Sequence, residues 1–142
     1  MERIVVGVDG SDNSLAALQW AVAEARRRGA HLQVVRSWTW SSPVADGLLT
    51  VPGDLPNQVE AAVTAELQQQ LERVDTDDVD VEPMIAYGSA PSVLTEIAQG
   101  ADLLVVGSRG RGGFTGLLLG SVSQQCAQHA PCPVVIVPSG TP

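Results

Sequence analysis

The sequence contains no lysine. Its eight basic residues are all arginines, sixteen residues are acidic, and the net charge at pH 7 is −8. A Walker-type phosphate loop needs a lysine that reaches the β and γ phosphates, and a phosphoacceptor receiver domain needs one after its last strand, so the composition excludes both classes. The affinity of proteins for nucleic acids comes largely from lysine and arginine side chains that neutralise phosphates. We therefore expect neither DNA nor RNA as a partner.

Cysteine and long apolar runs are scarce as well. Cys126 and Cys132 are the only cysteines. Two are too few for a disulfide framework, and no Cys-x-x-Cys or paired histidine spacing indicates a metal site, so we interpret both as buried, reduced thiols. No apolar run approaches the roughly 20 residues of a membrane span, and the amino terminus lacks the pattern of a signal peptide. We expect one domain, residues 1–142, located in the cytoplasm and without membrane contact.

Short apolar runs alternate with amphipathic stretches from one end of the chain to the other. The runs predict strands at 4–8, 31–38, 79–87, 103–106 and 134–137. Apolar residues at helical spacing predict helices at 15–28, 58–74, 93–98 and 121–129. Strands that are almost continuously apolar and alternate with helices are typical of a parallel sheet covered on both faces. The sequence therefore predicts an α/β fold with a doubly wound, five-stranded parallel sheet and helices on both faces.

A glycine-rich stretch connects the fourth predicted strand with the last predicted helix. Gly107 and Gly110 follow the strand, and Gly120-Ser121 opens the helix after nine further residues. Glycine lets the backbone turn with positive φ and approach a ligand without a Cβ, while the first N–H groups of a helix attract an anion. The Ser121 hydroxyl can cap those N–H groups. We interpret the stretch as a phosphate cradle; the alternative for such a motif by itself is a flexible loop.

A polar loop, residues 9–14, follows the first strand. Doubly wound sheets bind ligands beyond the carboxyl ends of the strands, where the strand order reverses. The loop would therefore meet the glycine-rich stretch if the first and fourth strands are neighbours. The Asp9 carboxylate could there accept hydrogen bonds from a ribose or hold a divalent ion that also binds phosphate. It could equally share in the cap of the following helix with Ser11, Asp12 and Ser14, of which Ser14 is the most natural cap by position.

These motifs together resemble the universal stress protein family. The resemblance rests on Gly107-x-x-Gly110 with Gly120-Ser121 nine residues later, on the stretch 8–11, on the helix start at 88–91 and on the closing run 131–137. It covers nearly the whole chain, and the complete glycine motif is that of the ATP-binding branch. The resemblance implies a Rossmann-like sheet with strand order 3-2-1-4-5 and a homodimer through the last strand, residues 133–138. An apolar edge strand left unpaired also invites aggregation, which favours such a partner.

The resemblance also implies a set of residues that bind ATP. On the phosphate and ribose side the set comprises Gly107, Arg109, Gly110, Gly120, Ser121 and Val122. Val106 and Ser37 would border adenine. Val8 and Asp9 would lie at the end of the first strand, with Asp9 near the ribose or near Mg or Mn bound to the nucleotide. Arg36 stands where many relatives have histidine, so the adenine side departs from the common pattern.

The function that we expect is that of a small cytoplasmic ATP-binding protein that acts in stress adaptation as a nucleotide-responsive regulator. Hydrolysis should be slow or absent, because no residue is recognisable as a strong general base that would orient an attacking water. One alternative is a family member that has lost the nucleotide and serves as an interaction module. Another is a weak ATPase or an ATP-dependent enzyme, although the Ser-Gly-Gly-x-Asp-Ser motif of pyrophosphatase-loop enzymes is absent after the first strand. The choice between ATP, ADP and cyclic AMP stays open.

Overall fold

The computed structural model describes residues 1–39, 55–109 and 119–139. Gly110 and most of the glycine-rich stretch lie outside the described residues. In chain order the elements are β1 (Arg3–Val8), α1 (Asp12–Arg28), β2 (His31–Trp38), α2 (Leu55–Glu72), β3 (Asp80–Tyr87), α3 (Ala90–Ile97), β4 (Leu103–Gly107), α4 (Ser121–His129) and β5 (Val134–Val137). None of the helices in these three ranges is long and apolar enough to cross a membrane.

The five strands form one parallel sheet in the order β3-β2-β1-β4-β5. β1 lies at its centre, where Val6 is in register with Val34 of β2 and with Val105 of β4. The predicted fold and strand order are therefore confirmed. The chain adds β2 and β3 on one side of β1 and then crosses to add β4 and β5 on the other. This reversal opens a crevice beyond the carboxyl ends of β1 and β4, the position at which such sheets bind ligands.

Two apolar cores lie on opposite faces of the sheet. Successive side chains of a strand point to opposite faces. Ile4 and Val6 of β1 accordingly pack with Leu18 of α1 in the first core. Val5 packs in the second core with residues of α3 and α4, including Leu94 of α3. The helices therefore cover both faces, as predicted for a sheet whose strands are apolar throughout.

Three helices begin three residues, almost one turn, before the point that apolar periodicity predicts. α1 begins at Asp12, α2 at Leu55 and α3 at Ala90, whereas the periodic patterns start at residues 15, 58 and 93. First-turn residues are chosen for capping and for φ rather than for a core face, so they are often polar residues or proline. Periodicity therefore recognises these helices one turn late.

The preference for Ser14 as the cap of α1 is wrong. Ser11, not Ser14, is the N-cap: its backbone is extended (φ −77°, ψ 162°) and its side chain accepts from the backbone N–H of Ser14 at 3.1 Å. An N-cap hydroxyl needs a free amide three residues ahead, and Ser14 lies too far inside the helix for that role. The helix ends at Gly29, whose φ of 63° is the left-handed conformation that glycine adopts at little cost.

Both cysteines are unbonded thiols. Cys126 is buried in the second core, while Cys132 is only half-buried beside it. Burial raises the pKa of the Cys126 thiol to about 11 and also raises the pKa of Cys132. Because the thiolate is the reactive form, these environments suit packing rather than nucleophilic chemistry.

Candidate functional site

A cleft opens at the carboxyl ends of β1 and β4. Its empty volume, which includes open solvent, is about 480 Å³. The cleft is lined by Gly7, Val8, Asp9, Ser14, Val35, Ser37, Ala90, Leu94, Val106, Gly107, Arg109, Val122 and Ser123. The β1–α1 loop and the exit of β4 meet here, as expected if the two strands are neighbours.

Most of the residues that the sequence nominates for a ligand lie together in this cleft. They are Val8, Asp9, Ser37, Val106, Gly107, Arg109 and Val122. Gly120 and Ser121 do not line the cleft; they precede Val122 at the start of α4. Gly110 falls outside the described residues. The part that the nominated residues play in binding a ligand stays a prediction.

One side of the cleft is apolar. Val35, Leu94 and Val106 are all at least 97% buried. Leu94 approaches the backbone of β1 so closely that a Cβ on Gly7 would lie 2.6 Å from the Leu94 Cδ1 atom. Glycine at this position therefore sets how near α3 can come to the sheet. Sequence reasoning missed Gly7, although a glycine inside an otherwise β-branched strand signals a close approach.

The other side of the cleft is polar and begins in the β1–α1 loop. The Asp9 Oδ1 atom accepts from the Ser11 N–H at 2.9 Å, and the Asp9 N–H donates to the Ser14 Oγ at 3.2 Å. Ser14 in turn donates to the Ser11 carbonyl and accepts from the Gln70 side chain of α2 at 2.9 Å. Asp9 therefore shapes its own loop and lines the cleft, but it is not the cap of α1. The sequence nominated Ser14 only as a helix cap, and it did not nominate Gln70.

Several backbone amides near the exit of β4 are already used inside the protein. The Ser108 N–H donates to the Val137 carbonyl at 2.8 Å, the Arg109 N–H to the Asn13 Oδ1 at 2.7 Å, and the Gly120 N–H to the Ser108 carbonyl at 2.6 Å. These three amides cannot also hold a phosphate without giving up their partners. At residues 108, 109 and 120 the main-chain N–H groups therefore hold the fold together, while the phosphate cradle stays a prediction.

The amino terminus of α4 provides donors of a different kind. Gly120 is its N-cap and makes no side-chain cap hydrogen bond, while Ser121 is the first helical residue and is exposed. The proposed cap by the Ser121 hydroxyl is therefore wrong, because Ser121 already lies inside the helix. First-turn amides have no acceptor within their own helix, and a glycine cap adds none, so this end of α4 attracts anions. Ser123 ties it to β4 by a hydrogen bond of 2.9 Å to the Ser108 carbonyl.

Arg36 does not line the cleft. Its side chain, 12% exposed, faces α2 and forms a 3.0 Å ion pair with Glu66, whereas the next residue, Ser37, points into the cleft. The departure from the family pattern at position 36 therefore concerns the contact with α2. Within the described ranges no group of three or more His, Cys, Asp or Glu side chains is placed to hold a metal ion. A Mg or Mn ion at Asp9 would need oxygen ligands from the nucleotide.

The family model described as the universal stress protein family matches residues 1–138. The chain belongs to the universal stress protein family. A universal stress protein from Mycolicibacterium smegmatis is 38% identical to it over 138 residues, which is 94% of this chain and 45% of that protein. The chain spans less than half the length of curated relatives that it matches, 45% of this one and 43% of a universal stress protein from Mycobacterium bovis.

Solved structures support the same assignment. The universal stress protein UspA from Lactobacillus plantarum has a TM-score of 0.79 and 26% identity, and the match covers 96% of this chain and 97% of that one. A universal stress protein in complex with cAMP has a TM-score of 0.72 and 31% identity, with 98% of both chains covered. Both matches therefore cover nearly the whole chain.

Proposed function

We propose that this universal stress protein binds an adenine nucleotide, ATP in particular, in the cleft between β1 and β4. One observation carries the proposal: the cleft joins an apolar wall to a polar end where Arg109, Asp9 and the start of α4 converge. A flat heterocyclic base fits the apolar wall, and polyphosphate suits a cation beside a helix amino terminus. The relative in complex with cAMP, at 31% identity, supports an adenine ligand.

The proposed orientation follows from the two ends of the cleft. Adenine would lie among Val35, Leu94 and Val106, bordered by Ser37, with the ribose toward Asp9. The phosphates would lie toward Arg109 and α4, near Gly120. In this orientation the Asp9 carboxylate would contact ribose hydroxyls or a Mg or Mn ion bound to the phosphates, which avoids direct contact with phosphate oxygens.

We further propose a regulator rather than a fast enzyme. Among the described residues that line the cleft, Asp9 is the sole carboxylate and there is no histidine. Phosphoryl transfer to water needs an oriented nucleophile in addition to charge stabilisation. A bound nucleotide that is hydrolysed slowly, if at all, can report nucleotide supply to a partner. The location in the cytoplasm and the role in stress adaptation stay parts of this proposal.

Calorimetric titration of the purified protein with ATP, ADP and cAMP, with and without Mg or Mn, tests the site. Saturable binding of ATP is expected, and Gly120→Val should weaken it by about tenfold or more, since a branched side chain would fill the path to the α4 amides. Ala127→Val is the matched control: it adds the same side chain to an exposed position of α4 and should leave the affinity unchanged.

Other results would favour other functions. No binding of any nucleotide by the unaltered protein would favour an interaction module, and rapid multiple turnover of ATP would favour an enzyme. Unchanged affinity in Gly120→Val would mean that the phosphates lie elsewhere.

We also propose that two copies pair through β5. The two edge strands of the sheet differ: β3 carries Pro83 and the acidic residues Asp80 and Glu82, whereas β5 consists of four apolar residues, Val134–Val137. Proline and charge protect an edge strand from pairing. β5 has no such protection and is the better candidate for pairing with a second copy across a two-fold axis.

A further inference from the structure

Asn13 is a buried amide that joins three separate parts of the chain. It lies in the first turn of α1 and is 9% exposed. Its Oδ1 atom accepts from the Arg109 N–H at 2.7 Å and from the Ser108 Oγ at 3.2 Å, and its Nδ2 atom donates to the Val137 carbonyl at 3.1 Å. The orientation of the amide is determined by its partners, because only the oxygen can accept from a backbone N–H and only the nitrogen can donate to a carbonyl.

The contacts of Asn13 depend on a missing side chain opposite it. A Cβ on Gly107 would lie 3.0 Å from the Asn13 Cγ and 3.1 Å from both its Nδ2 and its backbone oxygen. Gly107 was predicted to give a ligand access to the backbone. The space beside it is used instead, at least in part, by Asn13.

We infer that Asn13 is a positioning residue for the nucleotide site: it holds the exit of β4 against the end of β5, so that Arg109 is presented at the polar end of the cleft. Asn13 itself is not among the residues that line the cleft, and its polar atoms are used by the protein, so it is not a ligand-binding residue. The inference rests on the proposed nucleotide binding. It adds Asn13 as a residue that influences the ligand only through Arg109.

The placement of the contacts predicts which part of the ligand is affected. Asn13 contacts residues 108, 109 and 137, at the exit of β4 and the end of β5, whereas the apolar wall is built by Val35, Leu94 and Val106. Loss of the amide should therefore displace Arg109 and leave the wall for the base in place. A residue with a general role in stability would instead affect the whole ligand alike.

The test compares ATP with adenosine, which shares the base and ribose but has no phosphates. Asn13→Ala should weaken ATP binding by about tenfold, as expected for the displacement of one charge-assisted contact, and change adenosine binding by less than about twofold. In an Arg109→Gln background the same substitution should have almost no further effect on ATP, because the group that it positions is gone. Ala21→Gly is the control for stability, because it weakens the buried interior of α1 away from the β4 exit.

A measurement without ligand tests the positioning directly. Hydrogen exchange of the Arg109 amide, followed by NMR, should be slow in the unaltered protein and much faster in Asn13→Ala. Asn13→Asp keeps an oxygen that can accept from the Arg109 N–H but loses the donor to Val137. It should therefore keep the Arg109 amide protected.

The outcomes separate this inference from the proposed function. If Asn13→Ala weakened the binding of ATP and of adenosine equally, the pattern expected of the stability control Ala21→Gly, the positioning role would be overturned. An unchanged affinity for ATP in Asn13→Ala would also overturn it. If the unaltered protein bound neither ligand, the proposed function would fail. Unaccelerated exchange of the Arg109 amide in Asn13→Ala would overturn the inference by itself.

Discussion

At Gly7 the absence of a single methyl group determines how closely α3 approaches the central strand. The position has no positive φ, so its conformation does not require glycine; the requirement comes from Leu94, which is 97% buried and has its Cδ1 atom 2.6 Å from where a Cβ would lie. Space, and not backbone geometry, therefore explains this glycine.

Gly7→Ala should lower the free energy of unfolding. Overpacking of a core costs about 1–3 kcal/mol, which exceeds the roughly 0.4–1 kcal/mol gained by restricting the unfolded chain. Urea denaturation measures the change. In a Leu94→Ala background, where the opposing side chain is cut back, the same substitution should cost less. An unchanged midpoint in the otherwise unaltered protein would show that α3 moves aside freely.

His31 is a second residue whose behaviour depends on distant partners. Its Nε2 and Nδ1 atoms each lie 2.8 Å from a carboxylate oxygen, of Glu82 and Asp80 respectively. Hydrogen bonds to Glu82 and then to Asp80 raise the pKa of His31, and the contact with His31 lowers the pKa of Glu82. Both partners belong to β3; Asp80 lies 49 and Glu82 lies 51 positions further along the chain than His31.

The raised pKa of His31 predicts a stability that depends on pH. The contribution of a histidine with a raised folded pKa is complete below its unfolded pKa of about 6.5 and is lost as the pH rises through the folded value. The difference in unfolding free energy between the unaltered protein and His31→Gln should therefore shrink as the pH rises above about 6.5. The matched background is Asp80→Asn with Glu82→Gln, where this pH dependence should largely disappear. If the trend is the same in both backgrounds, the carboxylates are not its cause.

At the scale of elements, β5 pairs with β4 on one side and is the last strand of the sheet in the described part of the chain. The Pro133 carbonyl accepts from Leu104 and the Val137 carbonyl accepts from Ser108. Because backbone groups alternate along a strand, the N–H and carbonyl groups of residues 134 and 136 point away from β4. A second copy would therefore pair with these two residues.

Ile136→Pro should prevent pairing while keeping the fold. Proline removes an N–H that points to the open edge and not one that bonds to β4, and β3 already contains Pro83 at the opposite edge. Size-exclusion chromatography with light scattering should find dimers of the unaltered protein and of Ile136→Val, and monomers of Ile136→Pro. Monomers of all three at micromolar concentration would remove the dimer proposal.

At the scale of the whole molecule, the two ends of the sheet have different tasks. The cleft lies at the carboxyl ends of β1 and β4. The contacts of His31 with Asp80 and Glu82 lie at the amino ends of β2 and β3, at the opposite edge of the sheet. The topology produces this separation, because parallel strands bring all their carboxyl ends to one edge. Substitutions at His31 should accordingly affect stability without entering the proposed binding site.

Much of this arrangement could be predicted from the sequence. Apolar runs and helical periodicity identify every strand and helix of the described residues, because these signals are local. The resemblance adds the strand order, and most of the nominated residues do line one cleft. Helix starts were less accurate, since caps and first turns do not follow the periodicity of the core face, as Ser11 shows at α1.

The sequence alone determined the element order, the glycines that frame the exit of β4 and the lack of lysine, because each is a property of neighbouring residues or of composition. Only the tertiary structure decided which amides remain for a ligand and which residues support the site. Asn13 and Arg109 are 96 positions apart, and Leu94 of α3 packs directly against Gly7 of β1. Such contacts exist only after the chain has folded, so no local pattern in the sequence identifies the partner residues.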